Sequence, residues 1–68
     1  MKKSDETHEH NGIKGDICIS ESESNYSGEW YCEACGGFNS SIGISHNFNK
    51  TLKASKNGFE KHVDHDCI

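Results

Sequence analysis

The feature that most constrains this chain is Cys32-Glu33-Ala34-Cys35-Gly36, two thiols spaced by two residues in a sequence with little else to hold a fold together. The chain has 68 residues, enough for one domain, and only 31% of them are hydrophobic. Below about 70–80 residues an apolar core seldom suffices alone, and the fold needs a staple or a partner. Four Cys and five His are the available staples. Two thiolates at this spacing reach one tetrahedral ion from a single tight turn, with Zn–S distances of about 2.3 Å. Gly36 can take a positive φ, which lets the backbone curl and aim N–H groups at the sulfurs. The expected cofactor is therefore zinc.

A tetrahedral ion needs two further ligands, and Phe59-Glu60-Lys61-His62-Val63-Asp64-His65-Asp66-Cys67 offers them. Four residues separate His62 from Cys67, within the spacing usual for a second ligand pair. His62 and His65 are three apart, still on one helical face but a tighter chelate. The expected metal site is Cys32, Cys35, His62 and Cys67, with His65 as the alternative to Cys67. Cys18 is expected as a buried thiol under a strand, or else as a substitute for His62 or Cys67. Two competing chemistries use the same cysteines. A redox pair needs the motif to open a helix, and Gly36-Gly37 is a poor opening. Disulfides in an exported chain allow three connectivities.

Tyr31-Cys32-x-x-Cys35, Phe38, Phe59-x-x-His62 and Cys67 together resemble zinc fingers with two Cys followed by two His, or by one His and one Cys. The resemblance covers residues 29–67. It implies a structural zinc and apolar packing around it. Cys35 and His62 are separated by twenty-six residues, against about twelve in the common unit. That spacing is similar to the BED-like long-spacer variants, or to a finger with a hairpin inserted. The base-reading positions of a standard finger are therefore not transferred.

The rest of the chain predicts a small α+β fold: a zinc-stapled β-hairpin, a short C-terminal helix and a disordered N-terminal tail. Residues 1–11 are polar and without apolar periodicity, so they read as the tail, with His8 and His10 solvated. Residues 12–68 form the single zinc-binding domain. Ile17 and Ile19 alternate with polar neighbours as in a half-buried strand. Ser20-Glu21-Ser22-Glu23-Ser24-Asn25 reads as a linker. Trp30-Tyr31-Cys32 and Ser41–His46 make the hairpin, with Ile42, Ile44 and His46 on one face. Lys50–Ser55 reads as strand or loop, Asn57-Gly58 as a turn, and a short helix follows from about Gly58 to Asp66. The alternative there is one longer helix capped by Asn47 or Asn49, its stripe Leu52, Ser55, Phe59 and Val63. Trp30, Phe38, Phe48 and Phe59 are the expected small core.

Net charge is −4, every base is Lys, and Arg is absent. A nucleic-acid-binding domain is usually basic overall. Acids concentrate before residue 34, and Lys50, Lys53, Lys56 and Lys61 form a local basic segment. The expected function is a protein-interaction or regulatory adaptor with a protein partner. The alternative is a nucleic-acid-binding finger that uses those four lysines on phosphates. Val63-Asp64-His65-Asp66 is similar to the Asp-His segment of HNH nucleases. A catalytic zinc needs an open coordination position, which four protein ligands deny, so no enzyme is expected. No secretory signal and no apolar span is visible, so the expected location is cytoplasmic, with no membrane.

Overall fold

Ile13, Gly15, Ile17 and Ile19 alternate with Lys14, Asp16 and Cys18, and this period of two builds the central strand. The computed structural model describes residues 3–67, with β1 at Lys3–His10, β2 at Ile13–Ser22, β3 at Asn25–Cys32, β4 at Phe38–Ser45 and α1 at Phe48–His65. The strands form one antiparallel sheet in the order β1-β2-β3-β4. Helix α1 covers one face of it. The core between them is Ile17, Ile19, Trp30, Cys32, Phe59, Val63 and Cys67, with Ile13, Tyr26, Ile42, Phe48 and Leu52 packed at its margin. The class is α+β, and the expected hairpin is β3–β4. No helix among the described residues is long and apolar enough to cross a membrane.

The sheet holds one strand beyond the Ile17–Ile19 strand and the hairpin that the sequence predicts. Residues 3–10, read there as a disordered tail, form β1, paired with β2 from Lys3↔Ser20 to His10↔Ile13. Met1 and Lys2, the rest of that tail's start, lie outside the described residues. An edge strand needs a backbone partner and a tight turn more than it needs apolar side chains. Asn11-Gly12 supplies the turn, with φ of 52° and 79°, the positive values that favour a two-residue hairpin. The supposed linker Ser20–Asn25 is the next hairpin. Glu23 and Ser24 turn at φ of 49° and 71°, while Ser22 pairs with Asn25.

The helix is also longer than the favoured reading. Asn57-Gly58 is no turn; α1 runs unbroken through it from Phe48 to His65. Asn47 caps the N-terminus by accepting from the Lys50 N–H at 3.2 Å. The buried stripe is Thr51, Ser55, Phe59 and Val63, one residue off the expected Leu52 at its start. Its small polar members are satisfied locally: Thr51 Oγ1 donates to the Gly43 carbonyl at 2.6 Å and Ser55 Oγ to the Thr51 carbonyl at 2.8 Å. A helical Gly costs about 1 kcal/mol relative to Ala, and here Gly58 lies against the Trp30 indole edge, where a Cβ would be 3.0 Å from Nε1.

Two apolar placements differ from expectation. Phe38 is not core but 72% exposed, and Ile44 is 60% exposed. Ile42 packs inward opposite Gly28. Ser41 and Gly43 both have positive φ, and the β3–β4 register shifts beside them. Those irregularities break the strict alternation that would have put Ile42 and Ile44 on one face.

Candidate metal centre

The centre forms where β3 ends and α1 ends. Cys32 is the last residue of β3 and faces α1, fully buried. The chain then reverses in a tight turn: the Gly36 N–H donates to the Cys32 carbonyl at 2.8 Å, and the Cys32 N–H donates to the Gly37 carbonyl at 2.7 Å. Gly36 sits at φ 77°, which a residue with a Cβ adopts only with strain. This turn lifts Cys35 to the surface beside Cys32.

The helix supplies the other two groups. His62 is half-buried in the last turn, with its ring 4.7 Å from the Trp30 ring and tilted by 35°. The Asp66 and Cys67 N–H groups both donate to the His62 carbonyl, at 2.7 and 2.9 Å. That closure ends the helix and folds Cys67 back under it, where it is buried.

The ligand atoms of Cys32, Cys35, His62 and Cys67 all lie within 4.8 Å of one another. Cys32 Sγ and Cys67 Sγ are 3.5 Å apart, and Cys35 Sγ and His62 Nε2 are 3.1 Å apart. A tetrahedral zinc with 2.3 Å bonds places its sulfurs about 3.8 Å apart, so the cluster has the dimensions of one such ion. The inner pair is buried and Cys35 is exposed. The centre thus sits at the edge of the core, with one side toward solvent.

Local dipoles already favour charge on one sulfur. Burial raises the Cys32 thiol, but the Cys35 N–H, the Cys67 thiol and the Ala34 N–H all point at it, and together they bring it below its ordinary value. Cys67 is the opposite case. Its hydrogen bonds to Cys35 and Cys32, and then its burial, push it up to about 12.

His65, the sequence-level alternative, is not in the cluster. It is exposed and lines a groove between α1 and β4 with Lys61 and Asp66. Cys18 is not a substitute ligand either: it points away from the helix, on the face opposite Cys32. It is half-buried rather than under the Ile17–Ile19 strand. Burial, a hydrogen bond with Asp5 and the charges of Asp5, Glu29 and Asp16 raise its pKa.

Two contributors escaped the sequence reading. Trp30 forms a wall for the His62 ring. Gly37 leaves room for it: a Cβ there would stand 2.8 Å from His62 Cε1 and 3.4 Å from Cys35 Sγ. The Gly36-Gly37 doublet was the available signal, one glycine for the turn and one for the approach.

The basic segment lies on α1. Lys50, Lys53 and Lys61 are exposed on its outer side. Lys56 is partly buried and reaches Glu6 on β1 at 3.2 Å.

No family model, no curated protein and no solved structure matches the chain. The likeness to two-Cys zinc fingers therefore rests on the four clustered residues and the hairpin and helix that carry them. The long spacer between Cys35 and His62 holds β4 and most of α1; the additional hairpin, β1–β2, precedes the Cys pair instead of being inserted after it.

Proposed function

We propose that the chain is a structural-zinc module that acts as a protein-interaction or regulatory adaptor. The observation that carries the reading is the convergence of three sulfurs and one imidazole nitrogen within 4.8 Å. Cys32, Cys35, His62 and Cys67 would hold the ion. When bound, zinc ties the β3 turn to the end of α1 and supplies binding energy to folding. Four protein ligands close the coordination sphere, which supports a structural role over a catalytic one. The acidic net charge, the absence of Arg and the exposed aromatics Tyr31 and Phe38 support a protein partner. Unpaired thiols at the centre fit a compartment that keeps them reduced.

Native mass spectrometry tests the ion. We expect one zinc per chain, lost in Cys32→Ser and in Cys67→Ser, and retained in His65→Ala and Cys18→Ser. A metal-free native chain, or zinc that survives Cys67→Ser but not His65→Ala, would overturn the ligand set.

The exposed lysines Lys50, Lys53 and Lys61 favour a second reading, a finger that grips nucleic-acid phosphates. Each phosphate contact on duplex DNA would contribute a slope of about −0.9 in log K against log salt. With Lys56 engaged by Glu6, three lysines remain on the outer side of α1. Measurable duplex binding with that steep salt dependence would select this reading.

A further inference from the structure

Among the described residues no element covers the face of the sheet away from α1, and its side chains form an ordered pattern. Ile17, Ile19, Trp30 and Cys32 point at the helix, so their strand neighbours point outward. Strand pairing sets these in rows. Asp5, Cys18 and Glu29 form one row across β1, β2 and β3. Asp16, Tyr31 and Phe38 form the next across β2, β3 and β4. Rows two residues apart stand about 7 Å from each other. Between them lies a shallow cavity of about 240 Å³ lined by these six residues and by Trp30, which sits between Glu29 and Tyr31 on β3.

Tyr31 is 46% exposed and Phe38 72% exposed. Neighbouring large aromatics are seldom left in water without use. The charges on this face are Asp5, Glu9, Asp16 and Glu29 against Lys14 among the described side chains. An ammonium or guanidinium group satisfies both features at once. It stacks on the aromatic faces and donates hydrogen bonds to the neighbouring carboxylates. A second copy of the same face is disfavoured, because it would bring these carboxylates against their own equivalents.

We infer that the outer sheet face, centred on Tyr31 and Phe38 between Asp16 and Glu29, docks a basic Lys- or Arg-bearing segment of a partner protein. This rests on the interaction-module reading and gives that partner its chemistry. The long side chain lies along the aromatic pair, and its charged end reaches the Asp16 and Glu29 carboxylates. The Cys32, Cys35, His62 and Cys67 cluster lies where β3 meets the end of α1 and takes no part in the contact.

The test uses the zinc-loaded full chain and a fluorescein-labelled peptide of alternating Arg and Ser. Anisotropy gives its affinity, and amide chemical shifts locate it. We expect shifts centred on Asp16, Cys18, Glu29, Tyr31 and Phe38. We expect about tenfold weaker binding in Tyr31→Ser/Phe38→Ser, and similarly in Asp16→Asn/Glu29→Gln. Lys50→Ala/Lys53→Ala should bind unchanged. Shifts centred on α1, or undiminished binding by the aromatic double variant, would overturn the inference. So would self-association abolished by the lysine variant, which would give the face to a second copy. Zinc stoichiometry measured on every variant separates the two claims. Zinc present without peptide binding removes only the docking surface, whereas peptide binding by a metal-free native chain removes only the zinc module.

Discussion

Cys18 and Cys32 lie on adjacent strands but face opposite sides of the sheet, and their surroundings give them opposite chemistry. Burial and then the carboxylates around Cys18 favour its thiol, while backbone N–H groups around Cys32 favour its thiolate. The same logic sets a pH dependence for the centre. In the metal-free arrangement Cys67 is pushed up to about 12, so it carries its proton at neutral pH and must release it to bind zinc. Affinity therefore rises with pH and falls as pH drops, about tenfold per unit for each proton released. Calorimetry in buffers of different ionisation enthalpy should show at least one proton released per zinc bound near pH 7. A buffer-independent heat would contradict this. Gly37 makes a second prediction at this scale. Gly37→Ala places a methyl group against His62 Cε1, so the imidazole must swing off its line to the ion. Zinc affinity should fall about 10- to 100-fold, the range for displaced support around a ligand. Competition against a chromophoric chelator measures it, and an unchanged affinity would show that the turn yields freely.

The elements show a second device, one between strand and helix. Glu6, His8 and His10 project from one side of β1, and Lys56, Glu60 and Asp64 recur every four residues along α1. They pair in order: Glu6 with Lys56 at 3.2 Å, His8 with Glu60 at 2.8 Å, His10 with Asp64 at 2.9 Å. A two-residue step on a strand is about 7 Å and a four-residue step on a helix about 6 Å, so the two ladders stay nearly in phase over three rungs. Apart from the edge contact of the His8 ring with Phe59, this ladder is how a polar strand docks on the helix. Exposed pairs of this kind contribute about 0–1 kcal/mol each. His8→Ala/His10→Ala should therefore leave global stability nearly intact. It should raise amide exchange in β1 well above that in β2 and β3; equal protection of all strands would refute the ladder's role. This also explains what was legible. The Ile17–Ile19 alternation, the Cys turn and the Phe59–Val63 spacing carry strong local periodicity, and they fixed β2, the centre and the latter half of α1. Strand β1 was not legible, and the first half of α1 was legible only as the alternative, a longer helix capped by Asn47. Their order comes from pairing across the fold, which polar composition conceals. Asn11-Gly12 and Asn57-Gly58 share one dipeptide, yet the first turns a hairpin and the second lies inside a helix.

At the scale of the whole molecule, charge and core are unevenly distributed, and both features bear on stability. Lysines occupy the outer side of α1, acids the outer face of the sheet, and the apolar layer between them is thin. Among the described residues seven hydrophobic ones are buried, and two of these, Cys32 and Cys67, are proposed ligands. The helix owes little to its own sequence. No acid stands in its first turn, and most helical stability comes from packing rather than propensity. Its C-terminal end packs through Phe59 and Val63 beside the Cys32, Cys35, His62 and Cys67 cluster, where a bound ion would hold it. Structural zinc sites contribute about 10–16 kcal/mol at neutral pH, whereas an entire domain is usually stable by only about 5–15 kcal/mol. On the proposed reading, removing the ion would leave a partly exposed cluster of thiols where the sheet and helix join. Complete chelation should therefore release the end of α1, collapse the dispersion of amide resonances and abolish the near-ultraviolet signal of Trp30, which is fixed against His62. Added zinc should restore all three. Because Trp30 reports on the joint and the amides report on the whole chain, the experiment distinguishes two failures. If the Trp30 signal is lost while the strands keep their dispersion, the ion fastens the helix to a sheet stable by itself. If both survive metal removal, the core holds the fold unaided and zinc is not its staple.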